Sequence, residues 1–242
     1  MMGYIPNDEM KHMEPRIFEP TNEEAVNWVT KGAVTGVKDQ GKCGSCWSFS
    51  ATGALEAAHW QVSGQLISFS EQQLVDCDMQ SHNCQGGFQK TAFEYWMHFP
   101  AMTEQAYPYF SGTTQGPGYC QFNPYTATGV FTTNRGPVQQ NSVSALKAAV
   151  AHAPVAVSIE ADKQIFLSYK SGVFDSTDCG TQLDHAVLLV GYGTDDATGK
   201  DYWIMKNSWN TSWGEQGYMR MAIVDGQGTC GVQMAPIWVS SI

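Results

Sequence analysis

The strongest constraint on the fold is the stretch 40–50, QGKCGSCWSFS, which places two cysteines three residues apart where a helical pattern begins. Apolar residues recur at steps of three and four from Trp47 to Val62, which predicts a helix with one buried face that ends at Gly64. Cys46 then lies in the first helical turn, where the helix dipole favours a thiolate over a thiol. The stretch therefore predicts a reactive cysteine at a helix N-terminus.

The spacing of Cys43 and Cys46 is by itself compatible with three kinds of site. A thioredoxin-like redox pair would need a βαβ context and a cytosolic chain. Half of a zinc site would need a second close pair of cysteine or histidine residues. A structural Cys43 beside a nucleophilic Cys46 would need a glutamine just upstream and a histidine and an asparagine far downstream. The rest of the chain decides among these alternatives.

The composition is that of an ordinary globular protein and excludes several classes of function. Hydrophobic residues make up 43% of the 242 residues and aromatic residues 12%, enough for one large domain or two small ones. The net charge of −10 and the lack of a Lys/Arg cluster argue against binding to nucleic acid. Apolar runs are only a few residues long, so we expect no membrane-spanning segment.

The chain has seven cysteines, and an odd number leaves one thiol without a partner. Three disulfides and one working thiol are the simplest interpretation, with Cys46 as the best candidate for the free thiol. The spacing of the cysteines does not by itself fix their pairing.

The order of the patterns along the chain indicates an α+β protein. Residues 1–21 are rich in methionine and proline and show no apolar period, which is typical of a loosely attached arm. Ser70 and Gln73 predict a capping box at the start of a short helix. Residues 100–136 predict a long irregular connection. The other predicted helices are 47–63, 89–98, one that begins at 141 or 142, and a short piece within 163–169; the predicted strands are 155–159, 186–192, 202–206 and 217–222.

Two later stretches supply the distant histidine and asparagine. Asp184-His185-Ala186 opens a strand pattern, and Asn207-Ser-Trp209 follows another one. Each residue alone would be an ordinary packed or turn residue. Five motifs in this order together resemble the papain family of cysteine proteases, and within it the cathepsin L-like endopeptidases. The motifs are Gln40, Cys43-Gly-Ser-Cys46-Trp47, Cys84-x-Gly86-Gly87, Asp184-His185-Ala186 and Asn207-Ser208-Trp209.

The resemblance implies a role for each residue of the candidate catalytic set. Cys46 would attack the scissile carbonyl as a thiolate paired with the imidazolium of His185. Asn207 would orient the imidazole, and Trp209 would shield that contact from solvent. Gln40 would donate its side-chain amide to the oxyanion, together with the backbone N–H of Cys46.

The resemblance also implies a set of substrate-binding residues. Gly86 and Gly87 would present backbone to an extended peptide. A mostly apolar pocket would favour a hydrophobic or aromatic residue at the second position before the scissile bond, called P2. Trp213 would face the leaving-group side. The remaining residues of this set are Phe88, Ser158, Leu183, Asp184, Ala186 and Ala235.

The fold implied by the resemblance has a helical left lobe and an antiparallel β-barrel-like right lobe, with the active-site cleft between them. Residues 1–21 would be the C-terminal end of a propeptide, and 22–242 the peptidase domain. The helical lobe would cover about 31–132, and the strand-rich lobe about 133–237 with the segment 22–30. The disulfides would be Cys43–Cys84, Cys77–Cys120 and Cys179–Cys230, which leaves Cys46 free and implies an oxidising compartment.

The expected partners are protein or peptide substrates and inhibitors of the cystatin or propeptide type, with no cofactor and no metal. We expect a monomer with a lysosomal, vacuolar or secreted location, whose signal peptide lies outside this chain. No histidine pair lies between Cys84 and Cys120, and no cysteine precedes Cys43, so an endopeptidase is favoured over an exopeptidase. The alternative is a non-catalytic storage or binding protein on the same fold.

Overall fold

The computed structural model describes residues 2–6, 10 and 12–242. Helices precede most of the strands along the chain, as the sequence predicts. The helices are α1 (Cys46–Ser63), α2 (Glu71–Cys77), α3 (Gln89–His98), α4 (Ser111–Thr114), α5 (Val143–His152) and α6 (Gln164–Leu167). The strands are β1 (Val26–Asn27), β2 (Thr132–Pro137), β3 (Val155–Ile159), β4 (Val173–Phe174), β5 (His185–Thr194), β6 (Asp201–Lys206), β7 (Tyr218–Ala222) and β8 (Ile237–Ser241).

In the described part of the chain the strands form one open sheet of eight strands. Its path is β2-β8-β3-β5-β6-β7-β4, and β1 pairs with β5. All pairs are antiparallel except β4 with β7. Among the described residues the barrel-like closure expected from the sequence is absent, because the end strands β2 and β4 pair there only with β8 and β7.

Helix α1 is the central element and lies between the other helices and the sheet. It packs against α3 on one side and against β5 and β8 on the other. Its residues from Cys46 to His59 are all buried. Gly53 permits the close approach to the sheet, since a Cβ there would lie 2.8 Å from Cδ2 of Leu188 in β5. The helix ends at Gly64, whose φ of 73° is left-handed, as predicted.

A buried ionic cluster ties the N-terminal segment to α1 and α2. The ammonium of Lys38 lies 3.1 Å from Glu56 Oε1 and 2.7 Å from Glu71 Oε1, and both carboxylate side chains are 1% exposed. The same ammonium donates to the carbonyl of Phe69 at 3.1 Å. A cation with three acceptors satisfies two buried acids that would otherwise destabilise this region.

One detail of the helix predictions is wrong. Ser70 does cap α2, because its hydroxyl accepts from the N–H of Gln73 at 3.0 Å. The return bond of the capping box is not formed. The side-chain amide of Gln73 instead accepts from Met102 N at 2.7 Å and donates to Pro100 O. The Ser70 N–H, which the return bond would have used, donates to Met102 O. Tertiary contacts with the 100–103 segment replace the local bond.

Three disulfides join Cys43 to Cys84, Cys77 to Cys120 and Cys179 to Cys230, with Cα–Cα separations of 4.6, 4.8 and 5.2 Å. Cys46 is free and buried. None of the helices within the described ranges has the length and apolar character needed to cross a membrane.

The described residues of 1–21, called the arm below, contact the domain at several places. Residues 3–5 lie near α1. Further along, the guanidinium of Arg16 lies 4.4 Å from the ring centre of Trp238 in β8 and 4.7 Å from that of Phe18. The Phe18 ring also contacts the imidazole of His152, with centroids 5.4 Å apart. This contact therefore consists of aromatic rings and a cation packed together.

Candidate active site

Cys46 is the first residue of α1, where the unpaired N–H groups of the helix point outward. Its sulfur accepts a hydrogen bond from the backbone N–H of Ala186 at 3.4 Å. Ala186 follows His185, which is the first residue of β5. The start of α1 and the start of β5 thus bring the cysteine and the histidine into one site, although they are far apart in sequence.

The imidazole of His185 is held on two sides. Its Nε2 donates to Oδ1 of Asn207 at 2.8 Å, and the ring of Trp209 stacks on it with centroids 4.6 Å apart. With the proton on Nε2, the other nitrogen of a neutral imidazole is an acceptor. That Nδ1 is buried and has no hydrogen-bond partner in the described part of the chain. It is the atom able to take a proton from a nearby thiol.

Gln40 is fully buried beside Cys43, and Ser208 binds both its side chain and its backbone. Its side-chain amide donates to Cys43 O at 2.9 Å and accepts from the hydroxyl of Ser208 at 2.7 Å. The backbone N–H of Gln40 donates to Ser208 O at 2.9 Å. Because Ser208 follows Asn207, this contact couples the glutamine to the histidine–asparagine pair.

The arm crosses the site and pairs with both of its walls. The N–H groups of Gly3 and Tyr4 donate to Asp184 O at 3.2 and 3.0 Å. On the other wall Ile5 N donates to Gly87 O at 2.9 Å, and Gly87 N donates to Gly3 O at 2.8 Å. This bridge between Tyr4 and Gly87 is parallel. The groove between the start of α1 and the start of β5 therefore accepts an extended peptide.

The Tyr4 side chain enters the predicted P2 pocket. Its ring makes an edge contact with Phe88, with centroids 5.6 Å apart, and its hydroxyl bonds to Ser158. Burial raises the pKa of Tyr4 to about 12. An aromatic side chain with one polar end thus fits this pocket.

The other predicted binding residues make a variety of contacts. Gly86 is close to the arm, since a Cβ there would lie 2.8 Å from Cγ1 of Ile5. Leu183 packs against the turn at Gly231, and Ala235 lies just before β8. The indole of Trp213 donates to Leu167 O at 3.2 Å and contacts Trp209.

The sequence predicts a lowered pKa for the Cys46 thiol, and the structure shows the opposite direction. Burial raises the pKa of Cys46 to about 11, against the weaker effect of hydrogen bonds from Ala186 and Gly3. Burial also lowers the pKa of His185 to about 4, against the hydrogen bond to Asn207. The arm covers the groove and excludes water, so both groups favour their neutral forms. In this covered state the loss of solvation outweighs the hydrogen bonds to the sulfur.

Ser208 and Tyr109 both bind Gln40, and the sequence predicts no role for either. The hydroxyl of Tyr109 donates to Gln40 O at 2.9 Å. Ser208 lies inside the Asn207-Ser208-Trp209 motif, but no local pattern indicates its contact with Gln40, and none marks Tyr109, because the partners are distant in the sequence. Within residues 2–6, 10 and 12–242, no group of three or more His, Cys, Asp or Glu residues is arranged to hold a metal ion.

A cysteine at a helix N-terminus, facing a histidine that an asparagine orients, is the arrangement of the Cys-His-Asn class of cysteine proteases. A family profile described as "Papain family cysteine protease" matches residues 22–239. The chain belongs to this family, and the predicted family and papain-like fold are confirmed.

Several relatives are similar over most of the chain. "Cysteine endopeptidase Rep1" of Oryza sativa subsp. japonica is 49% identical over 216 residues, covering 87% of this chain and 56% of the relative. "Cathepsin L" of Sarcophaga peregrina is 46% identical over 220 residues, covering 89% and 63%. The proform structure of the ragweed pollen allergen Amb a 11, a cysteine protease, has a TM-score of 0.85 and 39% identity, covering 92% of this chain and 68% of that one. The chain spans about half to two thirds of the length of the curated relatives it matches, from 45% to 66%.

Proposed function

We propose that this chain is a cysteine endopeptidase that hydrolyses peptide bonds through Cys46 and His185. The observation that carries the proposal is the site itself. Cys46 lies at the start of α1, beside a His185–Asn207 pair joined at 2.8 Å, in a groove that already holds an extended peptide. Family membership supports the same activity.

In the proposed reaction the Cys46 thiolate attacks the carbonyl carbon of the scissile bond and forms a tetrahedral oxyanion. His185 protonates the leaving amine, which gives a thioester between Cys46 and the acyl part of the substrate. His185 then takes a proton from water, which hydrolyses the thioester and releases the thiolate. Asn207 keeps the imidazole in place through both proton transfers, and Trp209 covers this contact.

We assign the oxyanion to the N–H of Cys46 and the side-chain amide of Gln40. One oxyanion donor contributes roughly 3 to 4 kcal/mol to the stability of the transition state. The position of Gln40 between Cys43 O and the Ser208 hydroxyl supports this assignment, because it fixes the amide near the start of α1.

We propose that the arm is the end of a propeptide and blocks the groove until it is removed. Its parallel bridge to Gly87 runs opposite to the antiparallel course that we propose for a substrate. Removing it would admit water, which lowers the desolvation penalty on the charged forms of Cys46 and His185. Their thiolate–imidazolium pair would then form, helped by the α1 dipole. N-terminal sequencing of active enzyme tests this, and an intact Met1 would contradict it.

We propose a hydrophobic or aromatic preference at P2, because the aromatic Tyr4 side chain fills the pocket beside Phe88 and Ser158. Leu183, Asp184, Ala186 and Ala235 complete the proposed binding wall, with Gly86 and Gly87 opposite and Trp213 on the leaving-group side. The proposed partners are protein substrates and inhibitors of the propeptide or cystatin type. We propose a monomer with a lysosomal, vacuolar or secreted location.

The test combines a fluorogenic peptide with an aromatic residue at P2 and an epoxide-type cysteine protease inactivator. We expect hydrolysis, its loss when one thiol is labelled, and no hydrolysis by Cys46→Ala. A folded, arm-free protein that labels at Cys46 but hydrolyses no peptide would refute the endopeptidase and favour a non-catalytic binding protein. Reversible formation of a disulfide by Cys46 would favour a redox role.

A further inference from the structure

We propose that Tyr109 is a positioning residue for the oxyanion site and fixes the distance between Gln40 and Cys46. The inference rests on the proposed function, since it concerns the groups that bind the oxyanion. It concerns a residue in the segment that follows α3, outside the five motifs of the candidate site.

The hydroxyl of Tyr109 joins the two halves of the proposed oxyanion site. It lies 2.9 Å from Gln40 O and 2.7 Å from the hydroxyl of Ser45. A carbonyl oxygen can only accept, so the phenol proton points to Gln40 and Ser45 must donate to the phenol. Ser45 immediately precedes Cys46 at the start of α1. One part-buried hydroxyl therefore connects the backbone of the oxyanion donor to the turn that carries the nucleophile.

Tyr109 is itself firmly held. Its N–H donates to Glu104 Oε1 at 2.8 Å, and its ring makes an edge contact with Phe49 of α1, with centroids 4.9 Å apart. Burial raises the pKa of Tyr109, so the hydroxyl keeps the proton that it donates. Gly112 leaves room for this contact, since a Cβ there would lie 2.8 Å from Gln40 O and 3.1 Å from the Tyr109 ring.

Gln40 is thus fixed from two sides that belong to different parts of the fold. Ser208, next to β6, holds its side-chain amide, and Tyr109 holds its main-chain carbonyl. Without the Tyr109 hydroxyl, Gln40 O and Ser45 lose a shared partner, and the two oxyanion donors can move apart. The oxyanion exists only after attack on the substrate, so the loss should lower kcat and leave KM unchanged.

Tyr107 provides a matched control two residues away. Its hydroxyl donates to Asp76 at 2.6 Å and accepts from Gln121 N at 3.1 Å, contacts that involve neither Gln40 nor Cys46. Tyr107→Phe therefore removes a hydrogen-bonded phenol hydroxyl from the same region without touching the proposed oxyanion site.

The experiment compares Tyr109→Phe, Tyr107→Phe and wild type after the arm has been removed, with rates expressed per active site titrated by the epoxide. For Tyr109→Phe we expect kcat to fall about tenfold, less than for loss of a direct donor, with KM unchanged. The affinity for a peptide aldehyde, which forms a tetrahedral adduct with the thiol, should fall by the same factor. Alkylation of Cys46 by a haloacetamide creates no oxyanion and should keep its rate.

A kcat of Tyr109→Phe equal to that of wild type would overturn the inference. An alkylation rate that falls by the same factor as kcat would also overturn it, because it would indicate a perturbed thiol. If Tyr109→Phe does not fold, Ser45→Ala removes only the Ser45–Tyr109 bond, and an unchanged kcat there overturns it too. A wild type that labels but does not hydrolyse peptides would refute the proposed function, and the inference would fall with it.

Discussion

Replacing Gly3 by alanine should release the arm from the groove. A Cβ on Gly3 would lie 1.9 Å from Gly44 O, closer than any real contact allows. Gly44 cannot move aside easily, since its N–H donates to Cys84 O at 2.9 Å and the adjacent Cys43 is joined to Cys84. The arm must therefore shift.

The size of the effect follows from the hydrogen bonds that Gly3 makes. Its N–H donates to Asp184 O and its carbonyl accepts from Gly87 N. At about 1 kcal/mol for each bond, their loss weakens the docking of the arm by about 2 kcal/mol. This corresponds to roughly a 30-fold higher population of the open groove.

The assay is the rate at which an epoxide-type inactivator labels Cys46 in chains whose arm is shown to be intact by mass before and after the reaction. We expect Gly3→Ala to label about 30 times faster than wild type. Gly36→Ala is the matched control, because a Cβ at Gly36 meets no atom within 4 Å. Equal labelling rates for Gly3→Ala and wild type, with both arms intact, would refute the reasoning.

Three further changes test other parts of the structure. Asn207→Ala removes the acceptor for His185 and should lower kcat roughly 10- to 100-fold without unfolding the protein, as steady-state kinetics and circular dichroism can check. Burial and nearby Arg16 hold the pKa of His152 below its ordinary 6.5. Docking of the arm should therefore be complete above pH 6.5 and weaken as the pH falls below 6.5, because the free imidazole then takes up a proton. The epoxide labelling rate should depend on pH between about pH 5 and 7.5 for this reason, and His152→Asn should flatten that dependence. Lys38→Met leaves two buried carboxylates without their cation and should lower the free energy of unfolding by about 3 kcal/mol in urea titrations, while Lys42→Met at an exposed site should not.

The sequence predicts most of the regular structure that depends on local patterns. The apolar period from Trp47, the stop at Gly64 and the Ser70 cap all reappear, because each depends on residues within a few positions. The pairing of β2 with β8 joins residues about a hundred positions apart, and no local signal predicts it. The return bond of Gln73 was predicted wrongly for the same reason, since a distant backbone segment outcompetes it.

In the candidate site, too, the sequence predicts some features, and others depend on contacts between distant residues. The resemblance of five sequence motifs to the papain family selected Cys46, His185 and Asn207 as a set, and the fold brings them together. The ionisation of the pair was not predictable, because it depends on how completely the arm excludes water. Tyr109 was not predictable either, since its role depends on two hydrogen bonds to backbone and side-chain groups far away in the sequence.

The packing of Arg16 and Phe18 against Trp238 has a spectroscopic consequence. Trp238 is only 8% exposed while these two residues pack against its ring. When the arm leaves, the ring gains water contact, and its fluorescence should shift to longer wavelength. The protein thus carries an intrinsic fluorophore that reports the state of its own N-terminus in real time, and a Trp238→Phe chain would lose that part of the signal.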